Sequence, residues 1–204
     1  AILIVCRFVP YRWYRPLTYP LLILVLALLA AVHYPGLGFE AGGSTRWLHL
    51  GPVTFQPSEL ARLVLILYLA YSMDRKQGQI KAFSIGYVPH MFVLAMFSVL
   101  IITQPDFGSV VILATITWIM LFVGGVRIIY LVITVLMLLP AAYYMLIHAA
   151  YRLKRLMSFL DPWQYPTGEG YQIIHSMMAF GTGGLWGTGV GKGYQKLFYL
   201  PEPH

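Results

Sequence analysis

Two short segments of the chain place a carboxylate beside residues that favour turns. Glu59 stands in QPSEL and Asp106 in QPDFGS. Such a carboxylate could take a proton from a hydroxyl group, the general-base step of glycosyl or phosphoryl chemistry. An acid in the first turn of a helix is also a common cap, and Glu59 could pair with Arg62 three residues later on the same helix face. The residues alone leave a structural and a catalytic role open for Asp106, whereas for Glu59 they favour a structural role with Arg62 as the candidate partner.

Basic and aromatic residues in two other segments could bind an anionic group. Arg46 and Trp47 are adjacent in RWLHLG. An arginine there could pair with a phosphate, while a tryptophan at a membrane interface is usually an anchor. Lys192 is the last residue but one of the glycine-rich run GTGGLWGTGVGKG and Lys196 follows the run, so both could contact an anion held close to the glycine backbone. The run is not a P-loop, because Gly193 stands where a serine or threonine would bind magnesium. A tightly turned surface loop is the structural alternative.

The composition indicates what kind of protein must position these residues. Hydrophobic residues make up 59% of the 204 residues and charged residues only 10%, and the net charge is +7. A soluble protein so poor in charge would expose large apolar patches, so a soluble enzyme, a disordered linker and a nucleic-acid-binding domain are excluded. The single Cys6 cannot form an internal disulfide. His33, His90 and His148 are too dispersed for a metal site and are predicted to be packing residues. The chain is therefore predicted to be an integral membrane protein.

Apolar runs divide most of the chain into candidate membrane spans, each of which needs about 20 residues. Ala1–Val9 has neither the basic start nor the cleavage site of a signal peptide, and we interpret it as the last part of a further span. The five complete spans are predicted at Leu17–His33, Leu60–Met73 extended back to Pro57, Ser84–Thr103, Phe107–Val123 and Ile128–His148.

The distribution of lysine and arginine predicts the orientation of these spans. Short basic loops lie on the cytoplasmic side of membranes, which places RFVPYRWYR, DRKQGQIK and Arg127 inside. Residues 34–56, the TQPDFG turn and residues 150–204 are then outside, together with every acid except Asp74. We expect one transmembrane domain, with helices and short loops over residues 1–149 and an extracytoplasmic loop over residues 150–204. That loop is predicted to contain a short amphipathic helix at Tyr171–Phe180 and the glycine-rich run.

Five motifs in a fixed order add a resemblance to these physical arguments. They are GSTRWLHLGPVTFQPSELARL, TQPDFGS, RLKRLMSFLDPW, GEGYQIIHSMMAFGTGGLWGTGVGKGYQK and LFYLPEPH. Together they closely resemble the SEDS (shape, elongation, division and sporulation) family, and the pairing of DPW with GYQK and YLPE is closer to its division branch than to its elongation branch. His175 stands where the family usually has glutamine, and Arg62 where lysine is common.

The resemblance implies an all-α, ten-helix peptidoglycan glycosyltransferase in the bacterial plasma membrane, working at the division septum. Such enzymes polymerise lipid II into glycan strands on the outer face, beside a class B penicillin-binding protein and other division proteins. By the family pattern the first helix, most of the second and the last three are not among these residues. The proposed catalytic aspartate of the family would stand two residues after His204, so a chain limited to these residues is expected to be inactive.

The physical and family arguments meet on the expected mechanism. Glycosyl transfer from a polyprenyl diphosphate needs a base at the acceptor hydroxyl, and positive charge from arginine, lysine or a divalent cation such as Mg²⁺ or Mn²⁺ at the departing diphosphate. No organic cofactor and no nucleic acid is expected. Glu202 lies between two prolines that favour an extended backbone, so we expect it to support the site and not to act as the base. The residues predicted to line or support the cavity are Arg46, Trp47, Glu59, Arg62, Asp106, Lys192 and Lys196.

Two other functions remain open at this point. A lipid II flippase would carry charges along a transport path inside the membrane, and few charges lie deep within the predicted spans, with Arg62 the nearest. A division-site scaffold would use its helices only to recruit the transpeptidase.

Overall fold

The computed structural model describes residues 8, 10–34, 38–41, 44–50, 53–148, 150–168, 170–189 and 191–193. The described chain is mainly helical and divides into two compact units, Ala1–Thr134 and Val135–His204. The helices are α1 (Tyr14–Ala31), α2 (Pro57–Arg75), α3 (Val88–Ile102), α4 (Phe107–Val123), α5 (Ile128–Ile147), α6 (Ala150–Leu160) and α7 (Tyr171–Gly183).

Every one of the five complete predicted spans is a helix, within a few residues of its expected bounds. Helix α4 has the predicted bounds, and a π-helical turn at Phe83–Tyr87 precedes α3. By length and composition, Tyr14–Ala31 and Phe83–Ile102 could each cross a membrane, whereas Phe107–Val123 and Ile128–Tyr144 are apolar but shorter. The partial span Ala1–Val9 lies, apart from Phe8, outside the described residues.

Helices α1 to α4 pack into one bundle in the first unit. Helix α1 contacts α2 and α3, and α4 contacts α2 and α3. Their shared interior is apolar and includes the buried residues Val25, Leu29, Leu65, Leu69, Phe97, Ile101 and Leu113. Thr18 and Thr117 are also buried, and each hydroxyl donates to the carbonyl four residues earlier, so these polar groups are satisfied within their own helix.

A close backbone contact fixes the chain where the π-helical turn enters α3. A Cβ added at Gly86 would lie 1.8 Å from the carbonyl oxygen of Ile80, so only glycine fits there. The Gly86 carbonyl accepts a 2.7 Å hydrogen bond from the buried His90, whose other ring nitrogen lies 3.0 Å from Ser72 Oγ. The prediction that His90 is a satisfied packing residue is confirmed.

A small antiparallel sheet is the element that the sequence patterns did not predict. It has the order β1 (Gly38–Ala41), β2 (Ser44–Leu50) and β3 (Val53–Phe55), with an irregularity between Phe39 and Glu40. The sheet lies in the connection between α1 and α2, which was expected to be a loop. Strand β2 contacts α2, so the sheet belongs to the end of the bundle where α2 begins. We call this the Pro57 end.

The second unit contains the end of α5, the short helices α6 and α7, and the glycine-rich run. The predicted helix at Tyr171–Phe180 is confirmed and continues to Gly183, whereas α6 was not predicted. Ser158, Pro162 and Ile174 are buried in this unit. In the glycine-rich run, φ is positive at Gly184, Gly187, Gly189 and Gly191, which agrees with a tightly turned loop.

Candidate functional site

A Gln-Pro sequence marks the start of two helices at the Pro57 end of the bundle. Helix α2 begins at Pro57, and α4 begins directly after Asp106. Asp106 is the N-cap of α4: its carboxylate accepts hydrogen bonds from Ser109 N at 3.2 Å and from Ser109 Oγ at 2.6 Å. Of the two roles that the sequence left open for Asp106, the structure shows the cap.

Arg46 on strand β2 joins the sheet to the start of α4. Its Nε donates to the Gln104 carbonyl at 3.2 Å and its Nη2 to the Pro105 carbonyl at 2.8 Å. Its Nη1 lies 3.9 Å from Asp106 Oδ1. The guanidinium thus contacts three consecutive residues of the turn between α3 and α4, a geometry that its rigid, planar group of donors permits.

The first turns of α2 connect to the same carboxylate. Gln56 Nε2 donates to Asp106 Oδ2 at 3.2 Å. Arg62 donates through Nη1 to Glu59 Oε2 at 2.9 Å and through Nη2 to Ser109 Oγ at 3.1 Å. The predicted pair of Glu59 and Arg62 is confirmed. We call the connected set Arg46, Gln56, Glu59, Arg62, Asp106 and Ser109 the polar cluster.

Charge and burial in the polar cluster are uneven. The two arginines and two acids cancel in formal charge. The Asp106 side chain is 10% exposed and that of Glu59 57% exposed, so the negative charge nearer the interior is that of Asp106. Arg62 Nε and the hydroxyl of the neighbouring Ser58 are buried without a hydrogen-bond partner. A buried polar atom without a partner is costly, so these two positions reduce the stability of the start of α2.

A polar pocket of about 310 Å³ lies beside the polar cluster, between the end of α1, the sheet and the turn after α3. Gln104 connects the two, because it lines the pocket and its carbonyl accepts a hydrogen bond from Arg46 of the polar cluster. In the pocket wall, His33 Nε2 lies 2.8 Å from Thr103 Oγ1. The other lining residues are Val32, Tyr34, Gly38, Thr45 and Pro105. Groups of this kind can hydrogen-bond a hydroxylated ligand.

The structure brings together four of the predicted site residues: Arg46, Glu59, Arg62 and Asp106. Trp47 is half-buried on β2 next to Arg46. Lys192 is exposed and belongs to the second unit, while Lys196 and Glu202 lie outside the described residues.

The sequence analysis did not single out Gln56, Gln104 or Ser109. The repeated Gln-Pro sequence before each acid was the signal that pointed to the two glutamines. Nothing in the sequence distinguished Ser109 from an ordinary helix residue.

The polar cluster does not fit a divalent cation. Both Asp106 oxygens already accept hydrogen bonds, and the Arg46 guanidinium would repel a metal ion placed beside them. Within the part of the chain that the structure describes, no three histidine, cysteine, aspartate or glutamate side chains are grouped as metal ligands. The Mg²⁺ or Mn²⁺ considered from the sequence stays a prediction, and no step below depends on it.

The fold and the site define a helical membrane protein that has the polar cluster and a polar pocket at the Pro57 end of its bundle. The FtsW/RodA/SpoVE family pattern, described as cell cycle protein, matches residues 1–204, and the chain belongs to this family.

Three relatives show how far the likeness extends. The chain is 46% identical over 196 residues to a probable peptidoglycan glycosyltransferase FtsW of Trichlorobacter lovleyi, covering 96% of the chain and 51% of that protein. A chain of a peptidoglycan synthase complex, solved to study the structural coordination of polymerization and crosslinking, is 31% identical with a TM-score of 0.67, over 89% of this chain and 53% of that one. The rod shape determining protein RodA of Thermus thermophilus is 29% identical with a TM-score of 0.56, over 68% and 44%. The chain spans about half the length of the curated relatives that it matches.

Proposed function

We propose that the full-length protein polymerises lipid II into glycan strands during septal cell-wall synthesis. The observation that carries the proposal is the polar cluster beside a polar pocket, in a chain whose relatives bear the name peptidoglycan glycosyltransferase. The reaction joins an acceptor sugar hydroxyl to the donor sugar and releases a polyprenyl diphosphate. A protein that catalyses it must bind sugars, stabilise the leaving diphosphate and remove one proton.

In this proposal Arg62 contacts the leaving diphosphate. Its side chain is 27% exposed, and its planar guanidinium offers donors that match phosphate oxygens. Arg46 is held by two backbone carbonyls and fixes the turn that borders the pocket. The pocket beside that turn would take one sugar of the substrate. Trp47, Lys192 and Lys196 are proposed as further substrate contacts.

Asp106 is proposed as a positioning residue and not as the base. A general base needs a free lone pair directed at the acceptor hydroxyl, and the Asp106 oxygens already accept three hydrogen bonds from Ser109 and Gln56. We propose that the base is the aspartate that the family pattern places two residues beyond His204, with Glu202 in support. A polypeptide restricted to residues 1–204 would then form no glycan.

The proposal also fixes the side of the membrane and the partner. The Pro57 end would face outward, because the basic loops with Arg75 and Arg127 would lie at the cytoplasmic ends of their helices. Lipid II and the growing strand would enter from the lipid phase. A class B penicillin-binding protein would crosslink the product, and other division proteins would hold both enzymes at the septum.

The test is glycan synthesis by the purified full-length protein and its transpeptidase in liposomes with fluorescent lipid II. We expect polymer from the wild type, a loss of at least about tenfold for Arg62→Ala, and substantial activity for Arg62→Lys, which keeps the positive charge. Arg127→Ala, an exposed arginine in the turn after α4, is the matched control and should leave the rate unchanged.

Other results would contradict the proposal. Transfer of lipid II across the bilayer without polymer would indicate the flippase. The protein would be a scaffold if it and its transpeptidase still polymerised lipid II after four acids had been replaced: Glu59, Asp106, Glu202 and the aspartate after His204. Full activity of Arg62→Ala in normally inserted protein would remove Arg62 from the site.

A further inference from the structure

Another pocket lies at the end of helix α2 that is remote from the polar cluster. It encloses about 280 Å³ between α1 and α2, and its lining includes Tyr14 and Arg15 of α1 and Tyr71 and Asp74 of α2. Asp74 follows Pro57 by 17 residues, which is about 26 Å along an α-helix, and the hydrocarbon layer of a membrane is about 30 Å thick. The polar cluster and this pocket therefore lie near opposite faces of the membrane.

An ion pair stands in the wall of this pocket. Arg15 Nη2 donates to Asp74 Oδ2 at 3.0 Å, and the two side chains are 49% and 56% exposed. An ion pair as exposed as this contributes little to stability. A carboxylate has about four acceptor sites, and the bond from Arg15 uses one of them. Asp74 can therefore accept a hydrogen bond from a ligand while it keeps the bond from Arg15.

Hydrogen-bond donors lie on α2 beside this carboxylate. Arg75 Nη1 donates to the Tyr71 hydroxyl at 3.3 Å, and the guanidinium carbon lies 5.9 Å from the centre of the Tyr71 ring. Because the hydroxyl accepts in that bond, its own proton can be donated to a ligand. Tyr71 and Asp74 are three residues apart, so they are neighbours on the helix surface. A donor for a negative group and an acceptor for a positive group thus lie within one helical turn.

An exposed apolar stripe leads from the pocket toward the middle of α2. Leu63, Leu67 and Ala70 precede Asp74 at intervals of four, three and four residues, which places all four on one face of the helix. Leu63 is 56% exposed, Ala70 is exposed and Leu67 is half-buried. A lipid whose headgroup occupies the pocket can therefore lay an acyl chain along about three turns of α2.

The charges around the pocket distinguish between lipid headgroups. Four basic residues stand at this end of the two helices, and on their own they would favour any headgroup with a negative charge. They are Arg12, Arg15, Arg75 and Lys76. Asp74 adds the opposite preference, because a carboxylate in the wall repels a purely anionic headgroup and attracts an ammonium group. A phosphate ester of ethanolamine satisfies both requirements, since it carries one charge of each sign on either side of two carbon atoms.

We propose that this pocket binds the headgroup of a phosphatidylethanolamine molecule. The ammonium group donates to Asp74. The phosphate accepts from the Tyr71 hydroxyl and lies beside the Arg75 guanidinium, and an acyl chain lies along the apolar stripe. Arg15 keeps its bond to Asp74 and holds the carboxylate in place. The proposal does not depend on the glycosyl transfer proposed above.

The experiment couples Asp74 covalently to the lipid that it contacts. The full-length protein is reconstituted in vesicles of phosphatidylcholine with a minor fraction of phosphatidylethanolamine. A membrane-permeant carbodiimide then joins carboxylates to primary amines that touch them, and mass spectrometry of the digested protein measures the lipid-modified share of each carboxylate. Glu59 is the matched control, because it is 57% exposed, is also paired with an arginine and lies at the other end of the same helix.

We expect the lipid-modified share of Asp74 to exceed that of Glu59 at least about threefold. Tyr71→Phe and Arg75→Gln should each lower the coupling of Asp74 about twofold or more, whereas Arg127→Gln, an exposed arginine in the turn after α4, should leave it unchanged. Replacing phosphatidylcholine with phosphatidylglycerol should also leave it unchanged, because the carboxylate disfavours a headgroup that lacks an ammonium group.

Four results would overturn the proposal. Equal coupling of Asp74 and Glu59 would mean that exposure alone governs the reaction. Loss of coupling in phosphatidylglycerol would mean that the pocket prefers an anionic lipid. Unchanged coupling in both Tyr71→Phe and Arg75→Gln would remove the phosphate contact. Equal coupling of soluble glycerophosphoethanolamine, in vesicles without phosphatidylethanolamine, would mean that the ligand is a free headgroup and not a lipid.

Discussion

Replacing Arg46 with glutamine tests whether strand β2 is fastened to the start of helix α4 by one side chain. The substitution removes the hydrogen bonds to the Gln104 and Pro105 carbonyls and the positive charge 3.9 Å from Asp106. Glutamine is too short to reach all three groups. Arg46→Lys is the informative companion, because lysine keeps the charge but offers a single ammonium in place of a planar fork.

The structure sets the size of the expected effect. A hydrogen bond from a charged donor contributes about 1.5–3 kcal/mol, and the lower end applies because the Arg46 side chain is 34% exposed. At 3.9 Å the attraction to Asp106 is about 4 kcal/mol at an effective dielectric of about 20 and about 1 kcal/mol in water. With that exposure the smaller value is appropriate. Arg46→Gln should lower the free energy of unfolding by about 3–4 kcal/mol and Arg46→Lys by about 1–2 kcal/mol.

The assay is reversible unfolding of the full-length protein in mixed micelles with a denaturing detergent. A double-mutant cycle with Asp106→Asn isolates the charge term, since asparagine still caps α4. We expect a coupling energy of about 1 kcal/mol between Arg46 and Asp106. If Arg46→Gln costs less than about 0.5 kcal/mol, the level of an ordinary surface substitution, then the fastening of β2 to α4 is wrong. A coupling energy of zero would leave the carbonyl contacts but refute the ion pair.

Three further predictions use the same unfolding measurement. Gly86→Ala should lower the free energy of unfolding by about 1–3 kcal/mol or more, because the added Cβ would clash with the Ile80 carbonyl. Gly78→Ala, whose Cβ would meet nothing within 4 Å, is the control and should change it by less than about 0.5 kcal/mol. Equal effects of the two substitutions would contradict the close contact. Asp74→Asn breaks the ion pair with Arg15, whose two side chains are 49% and 56% exposed. It should change the free energy of unfolding by less than about 1 kcal/mol. Ser109→Ala removes a hydroxyl that donates to one side chain of the polar cluster and accepts from another, and should cost about 1–3 kcal/mol, so a neutral result would show that the cluster is not continuous.

The positions of the apolar helices α1 to α5 were predictable because their signals are local. An apolar run marks the interior of a span, and turn residues mark where it stops. Helix α4 shows this most clearly: Asp106 caps its start, and Gly124 and Gly125 end it, so both bounds follow from neighbouring residues. The pair of Glu59 and Arg62 was predictable for the same reason, since residues three apart meet on any α-helix.

The sheet and helix α6 could not be predicted as readily, because their local sequence patterns are weak. Strands of three to seven residues are too short for a convincing alternation of apolar and polar positions, and the β1–β2 pairing contains an irregularity. Helix α6 follows an apolar span with a break of two residues. It lies within residues 150–204, predicted as an extracytoplasmic loop, although the spacing of Leu153, Leu156, Met157 and Leu160 is that of an amphipathic helix.

The contacts of Arg46 with the turn before α4 could not be predicted, and they change the electrostatics of the polar cluster. Arg46 is 58 residues from Gln104 in sequence, and no local rule brings them together; the sheet does. The sequence predicted the pair of Arg62 and Glu59 but left Arg46 as free positive charge, whereas the structure sets Arg46 beside Asp106. A diphosphate therefore meets a cluster that is close to neutral in formal charge. To stabilise the diphosphate, either the substrate must replace the exposed Glu59 as the partner of Arg62, or another segment must supply positive charge. The exposed carboxylate is the weaker partner, because an exposed pair contributes little in water and its loss costs correspondingly little.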